Sequence, residues 1–409
     1  MSSVRTKPYY GWYLAITLAV TETISWGIIY YSFSVFLIPM EADLGWTRSE
    51  LTGGFSLMWL VTGLMAFPIG AWIDKHGARL LMTLGSIGAS LLVIAWSMVS
   101  SLPMFYLIWI GLGVCASAVL YDPAFTVIAQ WFHRRRSVAF AIVTFAAGLA
   151  STIFLPLANG LLQQFGWRTA VLLLGIFLGC VTIPLHALIL RRRPSDMGLL
   201  PDGDAIREDT PISVPPSISF RHAVMGRTFW MLTLSFGLMY LAATAIRFHF
   251  IPFLLSSGID PSTAAAATGA IGLMQVLGRV VFAPLDSRFS THSMLIGILG
   301  LHIVASLLLL VSQSLIILIL FIAIFGAAQG AGTLVRPSLI AELYGVQHYG
   351  RISSIMITFL TLTSTAAPQI ASQIYDQFGN YQPVLWLVVI FSIVSTMVGM
   401  MVRKPSLSS

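Results

Sequence analysis

The chain is predicted to be an all-α membrane protein, with twelve transmembrane helices forming two pseudo-symmetric six-helix bundles. Three observations predict it. Of 409 residues, 57% are hydrophobic and 9% charged, against roughly 25% charged in soluble domains. Apolar runs that approach or exceed the roughly 20 residues needed to cross a bilayer recur twelve times. Short signatures also repeat at offsets of 212 to 214 residues: Asp74 with Asp286, Asp122-Pro123 with Arg336-Pro337, Thr144-Phe145 with Thr358-Phe359, and Gln164-Phe165-Gly166 with Gln377-Phe378-Gly379. Each pair falls at an equivalent place in the helix order, which argues for a duplicated half.

In chain order the predicted spans are 12–38, 51–73, 80–99, 103–130, 137–160, 168–190, 228–254, 263–285, 292–311, 314–342, 353–376 and 382–402. The first, about 27 residues long, exceeds a signal-peptide core and lacks a cleavage site, so it reads as a retained helix. An even number of spans puts both termini on one side. Loops on that side hold Arg5, Lys7, Lys75, Arg79, Arg134, Arg135, Arg136, Arg191, Arg192, Arg193, Arg207, Arg221, Arg227, Arg288, Arg351, Arg403 and Lys404; the opposite side holds Arg48 and Arg168. By the positive-inside rule the termini face the cytoplasm, and the chain is expected in the cytoplasmic membrane. The domains read as 1–190 for one bundle, 191–227 for a cytoplasmic linker rich in Arg and Pro, and 228–409 for the second bundle.

The net charge of +7 sits in these loops, so it serves topology and points to no nucleic-acid partner. Cys115 and Cys180 fall in apolar runs without metal-ligand spacing. There is no phosphate-binding loop, no HExxH and no Ser-His-Asp set, so neither a cofactor nor an enzyme is expected.

Between the second and third spans lies Gly70-Ala71-Trp72-Ile73-Asp74-Lys75-His76-Gly77-Ala78-Arg79. Gly70 lets another backbone approach closely. Asp74 suits the free N–H groups of a helix start. Lys75 and Arg79 hold the loop at the cytoplasmic surface. This spacing, with Gly77 between the basic residues, resembles the signature loop of the major facilitator transporters. In the second half Phe282, Ala283 and Asp286 stand where Gly70, Ala71 and Asp74 stand, and Phe289 replaces Gly77. The first copy is therefore expected to carry the gating role, with Asp74 bracing the start of the eleventh helix near residues 351–353 and an Arg of 134–136.

Further motifs resemble the monocarboxylate porter and oxalate/formate antiporter branch. They are Tyr10-Gly11-Trp12, residues 31–36, Gly45-Trp46-Thr47-Arg48-Ser49-Glu50-Leu51, Trp131-Phe132-His133-Arg134-Arg135-Arg136, Gly166-Trp167-Arg168 and residues 193–199. They cover the first half well and the second thinly. The resemblance implies two bundles rocking about a central site, with a substrate Arg in the eighth helix, matched by Arg279. It departs at four places: Tyr9-Tyr10 stand where an acidic residue precedes the opening Gly-Trp, Gln275 replaces an Asp, Tyr31 replaces a Lys, and residues 353–376 contain no Lys.

Five charged residues fall inside apolar spans: Glu22, Asp122, Arg247, Arg279 and Arg336. At about 2.5–3.5 kcal/mol each, they cost on the order of 10 kcal/mol before pairing. At about 1.5 Å per residue, Glu22 lies roughly 15 Å into its helix. In the family implied by the resemblance, helices one, four, seven and ten line the cavity, and Glu22, Asp122, Arg247 and Arg336 fall on those helices. Arg279, Tyr31, Gln275 and Arg247 are therefore expected to bind substrate. Glu22, Asp122 and Arg336 are expected in proton coupling or gating, with Asp122 and Arg336 as a pair. Three Arg against two acids favour a small organic anion, carried by alternating access as a monomer, with the lipid bilayer as the other partner. A carrier of a neutral or amphipathic compound, and a sensor built on the same fold, stay open at this stage. His186, His249 and His302 show no ligand spacing and read as interior histidines. Trp26, Trp59, Tyr30 and Tyr31 read first as aromatic packing.

Overall fold

The apolar runs become helices because a backbone inside a bilayer must satisfy its own polar groups. The computed structural model describes residues 9–203, 218–285, 288–311 and 314–404. Arg5, Lys7, Arg207 and Asp286, with the side chains of Arg48 and Ala283, lie outside the described residues. All regular structure among the described residues is helical.

The chain divides into two compact units, one of residues 1–217 with 346–354, the other of 218–345 with 355–409. In the first unit, span one is α1 (Tyr10–Ser25), a π-helical turn (Trp26–Tyr31) and α2 (Ser32–Leu44). Spans two and three are α3 (Arg48–His76) and α4 (Ala78–Ser97). Span four is α5 (Leu102–Val119) followed by α6 (Tyr121–Trp131). Spans five and six are α7 (Arg136–Gly148) and α8 (Ala150–Ile189), with α8 broken at Gly166, where φ is 75°. That positive φ explains the Gly of Gly166-Trp167-Arg168: the chain reverses there between two crossings. The second unit holds a short α9 (Phe220–Met225), then α10 (Arg227–Ser256), α11 (Pro261–Leu285), α12 (Thr291–Leu310), α13 (Leu315–Tyr344), most of α14 (Tyr349–Phe378), and α15 (Gln382–Met400). Among the described residues, ten helical stretches are long and apolar enough to cross a membrane; one of these is folded in two at Gly166, and α11 contributes a shorter apolar stretch, Ala266–Phe282. Together they give the twelve crossings of an all-α membrane fold.

Local chemistry explains the boundaries. Thr47 and Glu50 form a capping box, the Thr47 hydroxyl accepting the Glu50 N–H while the Glu50 carboxylate accepts the Thr47 N–H at 2.8 Å. Arg168, one of the two basic residues assigned to the minority side, binds Asp43 at 3.0 Å. It also donates to the carbonyls of Ser97 and Val99, capping the end of α4. Small residues in α4 give close packing: Ser90 donates to the Gly175 carbonyl at 2.8 Å, and Cβ positions on Gly85 and Gly88 would press on Val119 and Cys115.

The polar segment after span six begins as ordered structure. Residues 194–197 and 201–203 form 3-10 turns. Asp202 stands at φ 62°, and its carboxylate accepts the N–H groups of His133, Arg134 and Arg135 at 3.1, 2.7 and 3.3 Å. These are orphan donors just ahead of α7, where a negative charge is favoured. Asp202→Ala is expected to release residues 191–203, read as faster proteolysis there, whereas Asp202→Asn, which tolerates the left-handed backbone, keeps most of the protection. Equal cleavage of the Ala variant and the unaltered protein would remove this latch.

Candidate functional site

Two backbone irregularities build the interior of the first unit. One is the π turn at Trp26–Tyr31, a feature frequent at functional sites. Its Gly27 has no room for a Cβ, which would collide with the Phe154 ring. The other is the break at Leu120, which starts α6 inside span four and places Tyr121 and Asp122 in its first turn. Pro123 fits there because the first turn of a helix needs no donor, and Asp122 complements the positive end of the helix dipole. The matching Arg336-Pro337 lies within an unbroken α13, so the two halves differ at this point.

The irregularities meet through aromatic rings. Trp26 lies 5.1 Å from Tyr121 and stacks on Trp59 at 5.7 Å. Tyr30 stands edge-on to both, at 5.5 and 5.4 Å, and Tyr31 edge-on to Tyr30 at 4.8 Å. All five rings are half-buried. One turn before them is Glu22, fully buried, whose Oε2 accepts the Trp26 indole N–H at 3.1 Å while Oε1 is buried with no hydrogen-bond partner. Asp122 is within electrostatic reach of Glu22. The structure thus brings Glu22, Asp122, Tyr31 and this aromatic group into one unit interior. Tyr121 was not singled out from sequence, and Trp59 was read there first as packing. Their signal was the density of aromatic residues beside Glu22 and the Asp-Pro step.

The loop motif forms a second centre. Gly70 and Asp74 lie within α3, and Gly77, at φ 82°, ends it. The buried Asp74 carboxylate accepts the N–H of Gly350 at 2.9 Å and of Arg351 at 3.0 Å, at the start of α14. These are orphan donors of a helix N-terminus. A Cβ on Gly70 would collide with the Gly350 carbonyl. Arg193 and Arg351 lie within coulombic range of Asp74, while Arg134 meets Asp202 and Arg136 donates to the carbonyls of Phe132 and Ala129. Guanidinium groups cap helix ends here: Arg79 of the motif donates to the Ala187 carbonyl at 2.7 Å, and Arg192 donates to the Lys75 carbonyl at 2.6 Å. In the adjoining loop, burial and then the charge of Arg351 hold the His348 imidazole below its usual pKa.

In the second unit, Arg279 on α11 is 7% exposed and Arg336 on α13 is 9% exposed. Gln275 is half-buried on α11, and Arg247 is exposed on α10. Glycines bring α11 and α13 backbone to backbone: Cβ atoms on Gly278, Gly326 and Gly330 would meet Ala327, Met274 with Ile271, and Gln275 respectively. Gly326 and Gly330 are four apart, the small-xxx-small spacing of close membrane helix contacts. The interior histidines hold local bonds: His186 with Ser86, His302 with the Ile298 carbonyl, and His249 with Tyr381 and the Pro368 carbonyl. Among the described residues no group of three or more His, Cys, Asp or Glu is placed to hold a metal.

A twelve-helix membrane bundle with discontinuous spans defines a solute carrier rather than an enzyme. Residues 18–258 and 232–408 match the Major Facilitator Superfamily, and the chain belongs to that family. It is a multi-pass, secondary-active transporter that moves a small solute by alternating access. It is 25% identical over 406 residues to Monocarboxylate transporter 12 of Rattus norvegicus, covering 92% of this chain and 82% of that one. Its fold is similar to that of the E. coli Fucose:proton symporter FucP, with TM-score 0.71, 13% identity and 96% and 98% of the two chains covered. It is also similar to the human organic anion transporter MFSD10, with TM-score 0.68, 16% identity and 96% and 97% covered.

Proposed function

We propose that the chain carries a small carboxylate, in the manner of the monocarboxylate-porter branch, with Arg279 as its anchor. The observation that carries this is a guanidinium buried in an apolar span, on a helix held rigid by backbone contact with α13. A planar fork of donors suits a carboxylate. Gln275 lies one turn earlier on α11, and Tyr31 and Arg247 are the further substrate contacts. The relatives named as monocarboxylate transporters support the substrate class. Glu22 and Asp122 supply carboxyls able to take up a coupling proton, and Arg336 a gate charge. The termini face the cytoplasm, and Asp74 with Gly70, Lys75, Gly77 and Arg79 forms the cytoplasmic gate.

The test is a thermal-shift and counterflow screen of purified protein against carboxylates, sugars and amphipathic compounds, beside Arg279→Gln. A ligand of the folded state raises apparent stability by mass action. Losing a charged hydrogen-bond partner is expected to weaken carboxylate binding about ten- to hundredfold. Hits among neutral compounds alone, equal in the variant, would overturn the carboxylate reading; binding without counterflow would show a sensor. Equal uptake with and without a proton gradient would remove the coupling.

A further inference from the structure

At the membrane face that carries the loop motif, the turn between α3 and α4 meets the end of α8, all within the first unit. Three guanidinium groups are fixed at this corner by backbone carbonyls. Arg79 donates to Ala187 at 2.7 Å, Arg191 to Leu188 and Leu190 at 2.8 and 3.0 Å, and Arg192 to Lys75 at 2.6 Å, with the Arg192 stem against Gly77. A guanidinium carries five N–H donors, so most remain available. Elsewhere in the unit, Arg134 and Arg168 meet Asp202 and Asp43. Arg79, Arg191 and Arg192 have no carboxylate partner among the described residues. The neighbouring Asp74 is committed to Gly350 and Arg351.

Topology does not require this arrangement. The positive-inside rule counts basic residues near span ends and asks nothing of where their side chains are held. Here three planar forks are fixed at one corner, and the same helices present leucines toward the bilayer. Leu80, Leu84 and Leu91 share one face of α4 and are exposed, as is Leu188 on α8, whose carbonyl holds Arg191. Trp72, exposed on α3 with its ring 4.4 Å from that of His76, is the kind of residue that marks a membrane–water boundary. Lipid phosphates lie at that level, and a guanidinium fork matches two phosphate oxygens. Basic pockets between helices at a membrane surface suit acidic headgroups.

We infer that this corner binds one anionic phospholipid, with its phosphodiester on Arg191 and Arg192 beside Arg79 and its acyl chains along the leucines of α4 and α8. The headgroup is anionic rather than zwitterionic because the exposed Lys75 and the guanidinium groups repel a choline ammonium. The inference stands apart from the carboxylate reading, since it concerns neither the solute nor its path.

The test adds dioctanoyl phosphatidylglycerol, dioctanoyl phosphatidylcholine or glycerol 3-phosphate to the purified full chain in detergent and reads the thermal shift. Phosphatidylglycerol is expected to bind about tenfold more tightly than phosphatidylcholine. Glycerol 3-phosphate, which lacks the chains, gives no shift at the same concentration. Arg191→Gln with Arg192→Gln, both outside the gate motif, removes the preference. Arg221→Gln with Arg227→Gln, the same loss of charge in the second unit, keeps it. Arg191→Lys with Arg192→Lys preserves charge and topology but not the fork, and lowers phosphatidylglycerol affinity about three- to tenfold. Equal shifts with the two lipids, a preference unchanged in the Gln pair, or one lost equally in the second-unit pair overturns the inference. A shift from glycerol 3-phosphate equal to that from phosphatidylglycerol overturns the lipid as occupant. Should the Gln pair fail to give a cooperative melt, the Lys pair decides, and unaltered affinity there overturns the inference.

Discussion

Asp74→Asn is expected to lower transport about ten- to hundredfold with little loss of expressed protein. The Asp74 carboxylate holds two backbone donors at the head of α14, from Gly350 and Arg351. Hydrogen bonds to a charged group contribute about 1.5–3 kcal/mol each. Asparagine keeps one acceptor, removes the charge, and turns its own NH2 toward a donor. Asp74→Glu does not rescue, because an added methylene has no room beside Gly350, whose own Cβ position lies 2.8 Å from Asp74 Oδ1. Gly70→Val acts on the same contact from the other side, by driving a side chain into the Gly350 carbonyl. Counterflow in proteoliposomes measures the effect, and Asp74→Asn at more than half the unaltered rate would remove the clasp from the transport cycle.

Gly330→Val is expected to have the largest effect on stability. A Cβ there would collide with the carbonyl of Gln275, and the nearest atoms after it are also Gln275 backbone. Backbone yields less readily than a flexible side chain, so α11 and α13 must separate. Overpacking costs about 1–3 kcal/mol where a core can adjust, and roughly 2–4 °C is lost per kcal/mol in units of this size, so the melt falls by about 10 °C or disappears. Gly297→Ala and Gly300→Ala are the controls, since nothing lies within 4 Å of a Cβ at either position. A Gly330→Val melt equal to those controls would show that close approach is not what holds Arg279's helix in place.

The spans were legible because hydropathy alone decides what crosses a bilayer, and the chain reversal was legible at Gly166 because a backbone at φ 75° favours glycine. The duplication was legible in motif spacing, but its limits were not. Asp122-Pro123 and Arg336-Pro337 look alike in sequence, while the first opens a new helix and the second lies within one. Proline permits either, and the surrounding packing chooses. The π turn was illegible for a related reason: Trp26–Tyr31 has no residue that forbids α geometry, and the wide turn follows from contacts such as Gly27 against Phe154. The order in residues 194–203 was hidden by proline content and depends on one carboxylate, that of Asp202, meeting donors some 70 residues away in sequence.

The π turn also sets the phase of the first span. In α geometry about 18 residues complete five turns, so Leu14 would align with Ser32. The wide turn absorbs one residue, and Phe33 falls in line with Leu14 instead; both are buried. The two arms are thus offset by about 100° from an unbroken helix. Their faces are indexed independently, the first by Leu14, Leu18 and Glu22, the second by Phe33, Phe36 and Met40. Removing a single residue between 26 and 31 would restore a regular helix and leave that indexing intact. The residue that shifts the phase lies in the turn that carries the aromatic group.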